Sequence, residues 1–197
     1  MASRLLLIRH AETDAAKKKL LVGSTEVDAG EEGLEKLHRF KRILGSYAPE
    51  EWYCSPMNRA LQTAEKIIDV CGLDQEVRVD KRLREINFGR WEMRSFTDIS
   101  LSDPDMVDDW AEYYSFIFPR GDAVADFQSR VADVFFALRR LPAKEVCVVT
   151  HGGVVRTMIC LALGQSPKNY LLYNVRPGTL TVLDLYPEGG VLAGLNI

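Results

Sequence analysis

The chain lacks a long hydrophobic run. No stretch reaches the roughly 18 consecutive apolar residues that a membrane-spanning helix needs. The apolar run at residues 5–8, close to the start, is too short for the core of a secretory signal. We therefore expect a protein that is neither exported by such a signal nor embedded in a membrane, and the cytoplasm is its expected location.

Cysteine is scarce and shows no pattern. The four positions, Cys54, Cys71, Cys147 and Cys160, have no C-x-x-C spacing and lie in apolar segments. Free cysteine in such segments behaves as a small apolar residue of the core. We predict buried, reduced thiols, which agrees with a cytoplasmic location.

An excess of positive charge is also missing. The 25 lysines and arginines are outnumbered by 28 aspartates and glutamates, which gives a net charge of −3. Such a protein has no general attraction for nucleic acid or for an anionic membrane surface. We expect neither as a partner, so an anionic ligand must be attracted by a local group of cations.

The sequence does contain a regular alternation of strands and helices. With 197 residues, 47% apolar content and no Gly/Ser-rich linker or internal repeat, we expect one domain over residues 1–197. Apolar runs predict strands at residues 4–9, 51–54, 76–79, 145–150, 179–185 and 190–195. Helical apolar stripes are formed by Leu34, Leu37, Phe40 and Leu44, by Leu61, Ala64, Ile68 and Cys71, and by Val124, Phe127, Val131, Val134 and Leu138. This alternation favours an α/β sheet covered on both faces.

Two of the three histidines directly follow predicted strands. His10 ends the run in "RLLLIRHAETD", beside Arg9, and His151 ends the run in "EVCVVTHGGVVR". Ligands of open α/β sheets bind outside the carboxyl ends of the strands, so these side chains are candidates for one site. In the simpler interpretation, Arg9 and His10 are only the first polar residues of a strand that leaves the core.

A third strand end carries an arginine, in "YCSPMNRALQTA". Ser55 is a suitable N-cap and Pro56 a suitable first helical residue, which would place Arg59 in the first helical turn. Helical side chains lean toward the N-terminus, so Arg59 is predicted to point toward the same edge of the sheet. A solvated arginine on an amphipathic helix is the alternative.

A carboxyl group follows the third strand, in "LREINFGRWE". Glu85 stands between Leu83 and Ile86. Apolar surroundings favour the neutral form of a carboxyl, which suits a general acid near neutral pH. A structural ion pair with Arg84 or Arg90 is the alternative.

Together these segments resemble the histidine phosphatase, or phosphoglycerate mutase-like, superfamily. "RHAET" is similar to its RHGE signature, "SPMNRALQTA" to its second-arginine helix, "LREINFGRWE" to its acid-bearing loop and "THGGVVR" to its second histidine. "PRGDAVADFQSRV" is similar to the P-x-G-E-S segment before a later helix. The matches keep the family's order and cover nearly the whole chain. The resemblance implies a three-layer α/β/α sandwich with a central, mostly parallel sheet.

The resemblance also implies roles for individual residues. His10 would be a nucleophile that forms a phosphohistidine, while Arg9, Arg59 and His151 would surround the phosphoryl oxygens. Glu85 would protonate the leaving oxygen and then help to activate water. Gly152 and Gly153 would let the backbone approach the oxyanion. The implied substrate contacts are Arg9, Arg59, Gly152, Thr13 and Gly23, and neither a metal nor a cofactor is implied.

The sequence departs from the family pattern near the first motif. The signature glycine is replaced by Ala11, and an asparagine common a few residues later is replaced by Ala16, followed by Lys17, Lys18 and Lys19. One phosphate contact is therefore in question. The lysines either form a solvated run, replace that contact or attract anions.

Four activities are compared for these motifs, a phosphatase and three alternatives. The compact length favours a phosphatase that hydrolyses a small phosphomonoester over a phosphoglycerate mutase, and the "GSTEV" turn is similar to the α-ribazole phosphatase branch. A metal-dependent hydrolase is a rival, but Arg9 and Arg59 would repel a divalent ion. A catalytically silent module that binds phosphorylated ligands is the third alternative.

Residues 92–119 form the least regular part of the sequence. This segment mixes acids with Trp110, Tyr113, Tyr114, Phe116 and Phe118. Local packing is the more common role of such aromatic residues, and a lid over a ligand pocket is the functional alternative. The oligomeric state is left open by the sequence, with a dimer as one alternative.

Overall fold

The computed structural model describes residues 3–110 and 115–197 and contains a six-stranded mixed sheet. The strand order is β3-β2-β4-β1-β5-β6. The strands are β1 (Arg4–Arg9), β2 (Glu51–Cys54), β3 (Val77–Val79), β4 (Glu145–Thr150), β5 (Leu180–Tyr186) and β6 (Gly189–Gly194). The first four are parallel to one another, whereas β5 and β6 are antiparallel to their neighbours. Each predicted strand lies within one residue of an observed one.

The alternation of side chains along β1 divides the core into two layers. Leu5 and Leu7 pack into an apolar cluster on one face of the sheet, and Leu6 and Ile8 pack into a second cluster on the other. This is the period of two expected for a strand buried on both sides. The predicted sandwich with a mostly parallel sheet is confirmed.

Helices cover both clusters. They are α1 (Asp14–Lys17), α2 (Glu31–Glu35), α3 (Phe40–Ile43), α4 (Asn58–Cys71), α5 (Phe96–Ser102), α6 (Pro104–Trp110), α7 (Val124–Arg139) and α8 (Gly152–Ala162). Buried residues of α7 and α8 belong to the cluster around Leu5 and Leu7, and those of α3 and α4 to the cluster around Leu6 and Ile8.

Helix α4 differs from its prediction in two ways. It begins at Asn58 with Met57 as N-cap, so Ser55 does not cap it, although Arg59 still lies in the first turn. Its fully buried face includes Arg59 and Thr63, and the predicted stripe residues Leu61, Ile68 and Cys71 are only partly buried. The buried face of α4 therefore contains Arg59 together with Ala60, Ala64 and Ile67.

The segment at residues 92–119 is partly helical and packs through its aromatic side chains. Trp91 contacts Trp110, Phe116 and Phe118 with ring centroids 5.5–5.9 Å apart. Tyr113 and Tyr114 lie outside the described residues. In residues 3–110 and 115–197, no helix is long and apolar enough to cross a membrane.

The cysteines follow the prediction with one exception. All four are free thiols, and Cys54, Cys147 and Cys160 are buried. Cys71 is only partly buried because it lies at the last turn of α4, at the margin of the core.

Candidate active site

The two histidines meet because β1 and β4 are parallel neighbours in register. Arg9 lies opposite Thr150, and the backbone N–H of His10 donates to the carbonyl of Thr150 at 2.8 Å. The next residue of each strand is therefore a histidine at the same edge of the sheet. The ring centroids of His10 and His151 are 5.1 Å apart.

His10 is held as a neutral imidazole with one defined free nitrogen. The ring is buried, and its Nδ1–H donates to the carbonyl of Ala11 at 2.7 Å. Burial, reinforced by the positive charges of Arg9 and Arg59, lowers the pKa of His10 well below its usual value. Because a carbonyl can only accept, the proton lies on Nδ1 and the lone pair of Nε2 is available to attack an electrophile.

His151 is fully buried and uses one nitrogen inside the protein. Its Nε2 lies 2.7 Å from the hydroxyl of Ser55, while Nδ1 has no partner among the described residues. Burial and the nearby His10 lower the pKa of His151 well below its usual value. In the tautomer in which the Ser55 hydroxyl donates to Nε2, the ring proton lies on Nδ1 and can be donated to a ligand.

The guanidinium of Arg9 is anchored by a carbonyl rather than by a carboxylate. Its Nη1 donates to the carbonyl of Val175 at 2.7 Å. Burial, followed by the charge of Arg156, lowers the pKa of Arg9 to about 10, so the group remains a cation at neutral pH. A Cβ atom at Gly152 would lie 3.2 Å from the Arg9 Cζ, which shows how closely the start of α8 approaches this cation.

Arg59 is fully buried and is also held by carbonyls. Its Nη2 donates to Gly23 at 2.6 Å and its Nη1 to Thr25 at 3.0 Å. Burial lowers the pKa of Arg59. Gly23 is closely packed, since a Cβ there would lie 2.3 Å from the carbonyl oxygen of Ile86. The predicted substrate contact Gly23 therefore positions Arg59 through its own carbonyl.

Glu92 supports the loop that holds Arg59, and sequence reasoning missed it. Its carboxylate accepts hydrogen bonds from the backbone N–H of Ser24 and Thr25, both at 2.6 Å, and of Phe88 at 3.1 Å. The hydroxyls of Ser24 and Thr25 also donate to it. One carboxylate thus ties the loop under Arg59 to the segment that follows Glu85. Its position after the "FGRW" stretch gave no signal of this role.

Glu85 is fixed at the start of α8. Its Oε2 accepts from the backbone N–H of Gly153 at 2.9 Å, and its Oε1 from that of Ile86 at 3.1 Å. A Cβ at Gly153 would lie 2.4 Å from Oε1, so a glycine is needed for this approach. Glu85 is 8% exposed as a residue and forms neither of the ion pairs considered for it, with Arg84 or with Arg90.

Arg130 positions the segment that carries Glu85, and it too was missed. Its Nη1 donates to the carbonyls of Arg82 and Arg84, each at 2.7 Å. The hydroxyl of Thr150 donates to Leu83 at 2.7 Å. Helix α7 and strand β4 therefore fix the backbone just before Glu85 from two sides.

The first-motif departures have a structural explanation. The backbone N–H of Ala11 donates to the Thr63 hydroxyl at 2.9 Å, so this amide is used inside the protein. The predicted contact Thr13 caps α1, its hydroxyl accepting from Ala16. Lys17 pairs with Glu32 at 2.7 Å, which makes it part of a surface ion-pair group.

Three buried nitrogens at the site lack hydrogen-bond partners among the described residues. They are the Nε of Arg9, the Nε of Arg59 and the Nδ1 of His151. Buried donors without partners are rare, because each costs free energy when it has left water. Three of them beside the free Nε2 of His10 form a cradle suited to an oxyanion with several oxygens.

The arrangement offers cations rather than metal ligands. Within residues 3–110 and 115–197, no three His, Cys, Asp or Glu side chains are grouped closely enough to hold a metal ion. The cradle contains the two guanidinium groups of Arg9 and Arg59, whose charges would repel a divalent cation.

The sequence of this chain matches a known protein family. The sequence model of the histidine phosphatase superfamily, branch 1, matches residues 5–197. The chain belongs to this superfamily. The family resemblance of the five motifs is thereby confirmed.

Its relatives within the histidine phosphatase superfamily include enzymes named for different substrates. The adenosylcobalamin/alpha-ribazole phosphatase of Escherichia coli (strain K12) is 27% identical over 195 residues, which cover 98% of this chain and 95% of that protein. Phosphoserine phosphatase 1 of Hydrogenobacter thermophilus is 25% identical over 196 residues, covering 98% and 92%. The crystal structure of the alpha-ribazole phosphatase from Shigella flexneri has a TM-score of 0.87 at 26% identity, covering 98% of this chain and 96% of that one.

These relatives agree on the class of reaction. All three are phosphatases, and the predicted phosphatase, a hydrolase of phosphomonoesters, is confirmed at the level of this histidine phosphatase family. Neither the mutase nor the silent binding module is favoured by the relatives.

Proposed function

We propose that the protein is a single-domain, metal-independent phosphomonoesterase that acts through a phosphohistidine on His10. The observation that carries the proposal is the free Nε2 of a neutral His10 beside three buried nitrogens without partners. A phosphoryl group placed there would give Arg9, Arg59 and His151 the acceptor oxygens that they lack. Phosphoryl transfer depends above all on such positioning and charge stabilisation.

In the first step the phosphoryl group moves to His10. The Nε2 lone pair of His10 forms a bond to phosphorus while the bond between phosphorus and the alcohol oxygen breaks. Glu85, in its protonated form, gives its proton to that leaving oxygen, so the product leaves as a neutral alcohol. Arg9 and Arg59 neutralise charge on the oxygens that do not react.

In the second step water takes the phosphoryl group from His10. Glu85, now a carboxylate, accepts a proton from the attacking water, and the N–P bond breaks to return the imidazole lone pair. Inorganic phosphate leaves, and Glu85 is again protonated. Each turnover therefore consumes one water and restores both side chains.

The substrate we propose is a small phosphorylated metabolite, with α-ribazole 5'-phosphate as a candidate. The support is that relatives of nearly full coverage are named as alpha-ribazole phosphatases. Phosphoserine is the second candidate, because another relative of similar coverage is named as a phosphoserine phosphatase. We place the enzyme in the cytoplasm and propose that residues 92–110 and 115–119 cover the pocket.

Trapping of the covalent intermediate tests the mechanism. After acid quench during turnover, mass spectrometry of the peptide spanning residues 5–17 should show one added phosphoryl group. His10→Ala should abolish this mass and lower turnover by several orders of magnitude, as expected for loss of a covalent nucleophile. His38→Ala is the matched control, because His38 is exposed on the surface. Near-normal turnover by His10→Ala would contradict the phosphohistidine.

Two further measurements address the proton donor and the metal. Glu85→Gln should slow the hydrolysis of esters with poor leaving groups far more than that of p-nitrophenyl phosphate, because only the former need a proton in the transition state.

Phosphatase activity should persist after treatment with EDTA. Loss of turnover on chelation, restored by a divalent ion, would replace this proposal with a metal-dependent hydrolase.

A further inference from the structure

A cavity of about 210 Å³ opens beside the carboxyl of Glu85. Glu85 and Gly153, whose N–H holds the carboxylate, both line it. A general acid must come within hydrogen-bond distance of the leaving oxygen, so the group attached to that oxygen must lie next to Glu85. On the proposed function, this cavity is therefore where the alcohol part of the substrate is placed.

The walls of the cavity are mostly aromatic and aliphatic. Eight aliphatic or aromatic residues line it: Leu21, Ile86, Phe88, Trp110, Phe118, Phe127, Tyr170 and Leu171. Phe88 and Phe118 meet edge to face with centroids 4.9 Å apart, and Trp110 and Phe118 meet similarly at 5.8 Å. These packed rings give the cavity fixed apolar walls, which suit a planar guest.

The cavity is small and its mouth is apolar as well. Its volume lies below the range of about 300–1,000 Å³ that is usual for sites of drug-sized ligands, so it fits one ring system rather than a long chain. Leu171, in the 3-10 helix Pro167–Leu172, lines the cavity although the residue is 64% exposed. An exposed leucine at the entrance is favourable only for a guest that covers it with apolar surface.

The cavity lining carries few charged groups. Among the lining residues in the described part of the chain, Arg156 is the one cation, and it forms no ion pair with a carboxylate. Its Nε donates to the carbonyl of Tyr173 at 2.9 Å, and its charge lowers the pKa of Arg9. Arg156 is thus the residue of the cavity lining whose charge acts on Arg9 of the phosphate cradle.

From the apolar walls of the cavity and the separate cations of the phosphate cradle, we infer that the enzyme is specific for phosphate esters whose alcohol carries a planar, apolar ring. The ring lies among Phe88, Trp110, Phe118 and Leu171, and the phosphate lies on Arg9 and Arg59. An ester with a short charged alcohol, such as phosphoserine, does not cover the aromatic walls. Its charged groups would also lie in apolar surroundings, which is unfavourable. This inference rests on the proposed function, and the test separates the two.

Non-hydrolysable ligands measure the cavity without turnover. Isothermal titration calorimetry with 3-phenylpropylphosphonate and with propylphosphonate compares two ligands that differ by one ring. We expect the ring to tighten binding at least tenfold. Leu171→Asn should reduce this ratio severalfold. Leu172→Asn is the matched control, since Leu172 is a neighbouring exposed leucine that does not line the cavity, and it should leave the ratio unchanged.

Turnover of three esters is measured in parallel. The kcat/KM for 2-phenylethyl phosphate should exceed that for ethyl phosphate and for O-phosphoserine at least tenfold in the wild-type enzyme. Equal rates for all three esters, or a preference for O-phosphoserine, would overturn the ring specificity and leave the phosphatase intact. Tighter binding of the ring phosphonate with no turnover of any ester would retain the cavity assignment and reject the proposed function. Equal affinity for the two phosphonates would overturn the cavity assignment.

Discussion

Strand β1 carries an arginine at each end, and the two arginines have different partners. One is paired with carboxylates and the other is not. At the amino end, Arg4 forms ion pairs with Asp184 at 2.6 Å and Glu145 at 2.9 Å, which raise its pKa. At the carboxyl end, Arg9 has the carbonyl of Val175 as anchor, and burial lowers its pKa. Arg4 is neutralised within the protein, whereas the charge of Arg9 is left for a ligand.

This difference distinguishes the proposed functional end of the sheet better than cavity volume does. The cavity beside Arg4 measures about 640 Å³, three times the volume of the cavity beside Glu85. Its arginine, Arg4, is already paired with two carboxylates, those of Glu145 and Asp184. A buried cation anchored by carbonyls alone keeps a net charge at the site, and a bound anion would remove the cost of that charge.

The largest difference in activity is expected between variants that lack Arg9 and variants that lack Arg4. Arg9→Met should lower kcat/KM for phosphomonoesters about 10²- to 10³-fold, because a charge-stabilising donor at the phosphoryl group is lost. Arg4→Met should leave kcat/KM within about twofold and lower the free energy of unfolding by about 1–2 kcal/mol, because its pairs are partly exposed. Steady-state kinetics and urea denaturation of the two variants measure both quantities. Equal losses of activity in the two variants would remove the distinction between the two ends.

A smaller effect should follow from loosening the support of Arg59. Glu92→Gln replaces an acceptor oxygen with a donating NH₂ group that would face the N–H groups of the loop at Ser24 and Thr25. We expect kcat/KM to fall about tenfold, mainly through a higher KM, because Arg59 loses its fixed position rather than its charge. The pH profile of kcat should not shift, which distinguishes positioning from proton transfer.

Glu50→Gln serves as the control for this variant at the opposite end of the sheet. Glu50 also accepts a backbone hydrogen bond, from Lys144 at 2.9 Å, but it lies beside the Arg4 cavity. We expect no change in kcat/KM. A comparable loss in Glu50→Gln would mean that Glu92 acts through general stability alone.

The smallest effect concerns the dependence of stability on pH. The pKa values of His10 and His151 are lowered on folding, so the unfolded chain binds protons that the folded protein does not. Stability should therefore be unaffected by these groups above about pH 7 and fall as the pH drops below about 6.5, by at most about 1.4 kcal/mol per pH unit for each histidine. Urea denaturation between pH 7.5 and 5.5 measures the slope, which should decrease in His151→Asn. An unchanged slope in that variant would contradict a lowered pKa for His151.

The sequence was most informative where residues follow strands. Apolar runs located the ends of β1 and β4, and parallel pairing then brings His10 and His151 together without further information. Helix α4 was less predictable. Ser55 is a residue type that commonly caps helices, but its hydroxyl forms a hydrogen bond with His151, a residue 96 positions away in sequence.

The supporting residues could not be read from sequence for the same physical reason. Glu92 and Arg130 act by hydrogen bonds to backbone groups of distant loops, and any residue offers those groups. Their partners are defined only once the loops have folded. The motif residues, by contrast, are recognisable because their own side-chain chemistry is required.

The central place of β1 has a consequence for the newly made protein. The strand that carries His10 pairs with β4 and β5, and its partners Glu145 and Asp184 follow Arg4 by 141 and 180 residues. At a synthesis rate of roughly 5–20 residues per second, the first strand waits on the order of 10 s for its neighbours. A nascent chain that ends before β4 exposes the proposed nucleophile motif with no pocket around it, so the proposed site is complete only late in translation.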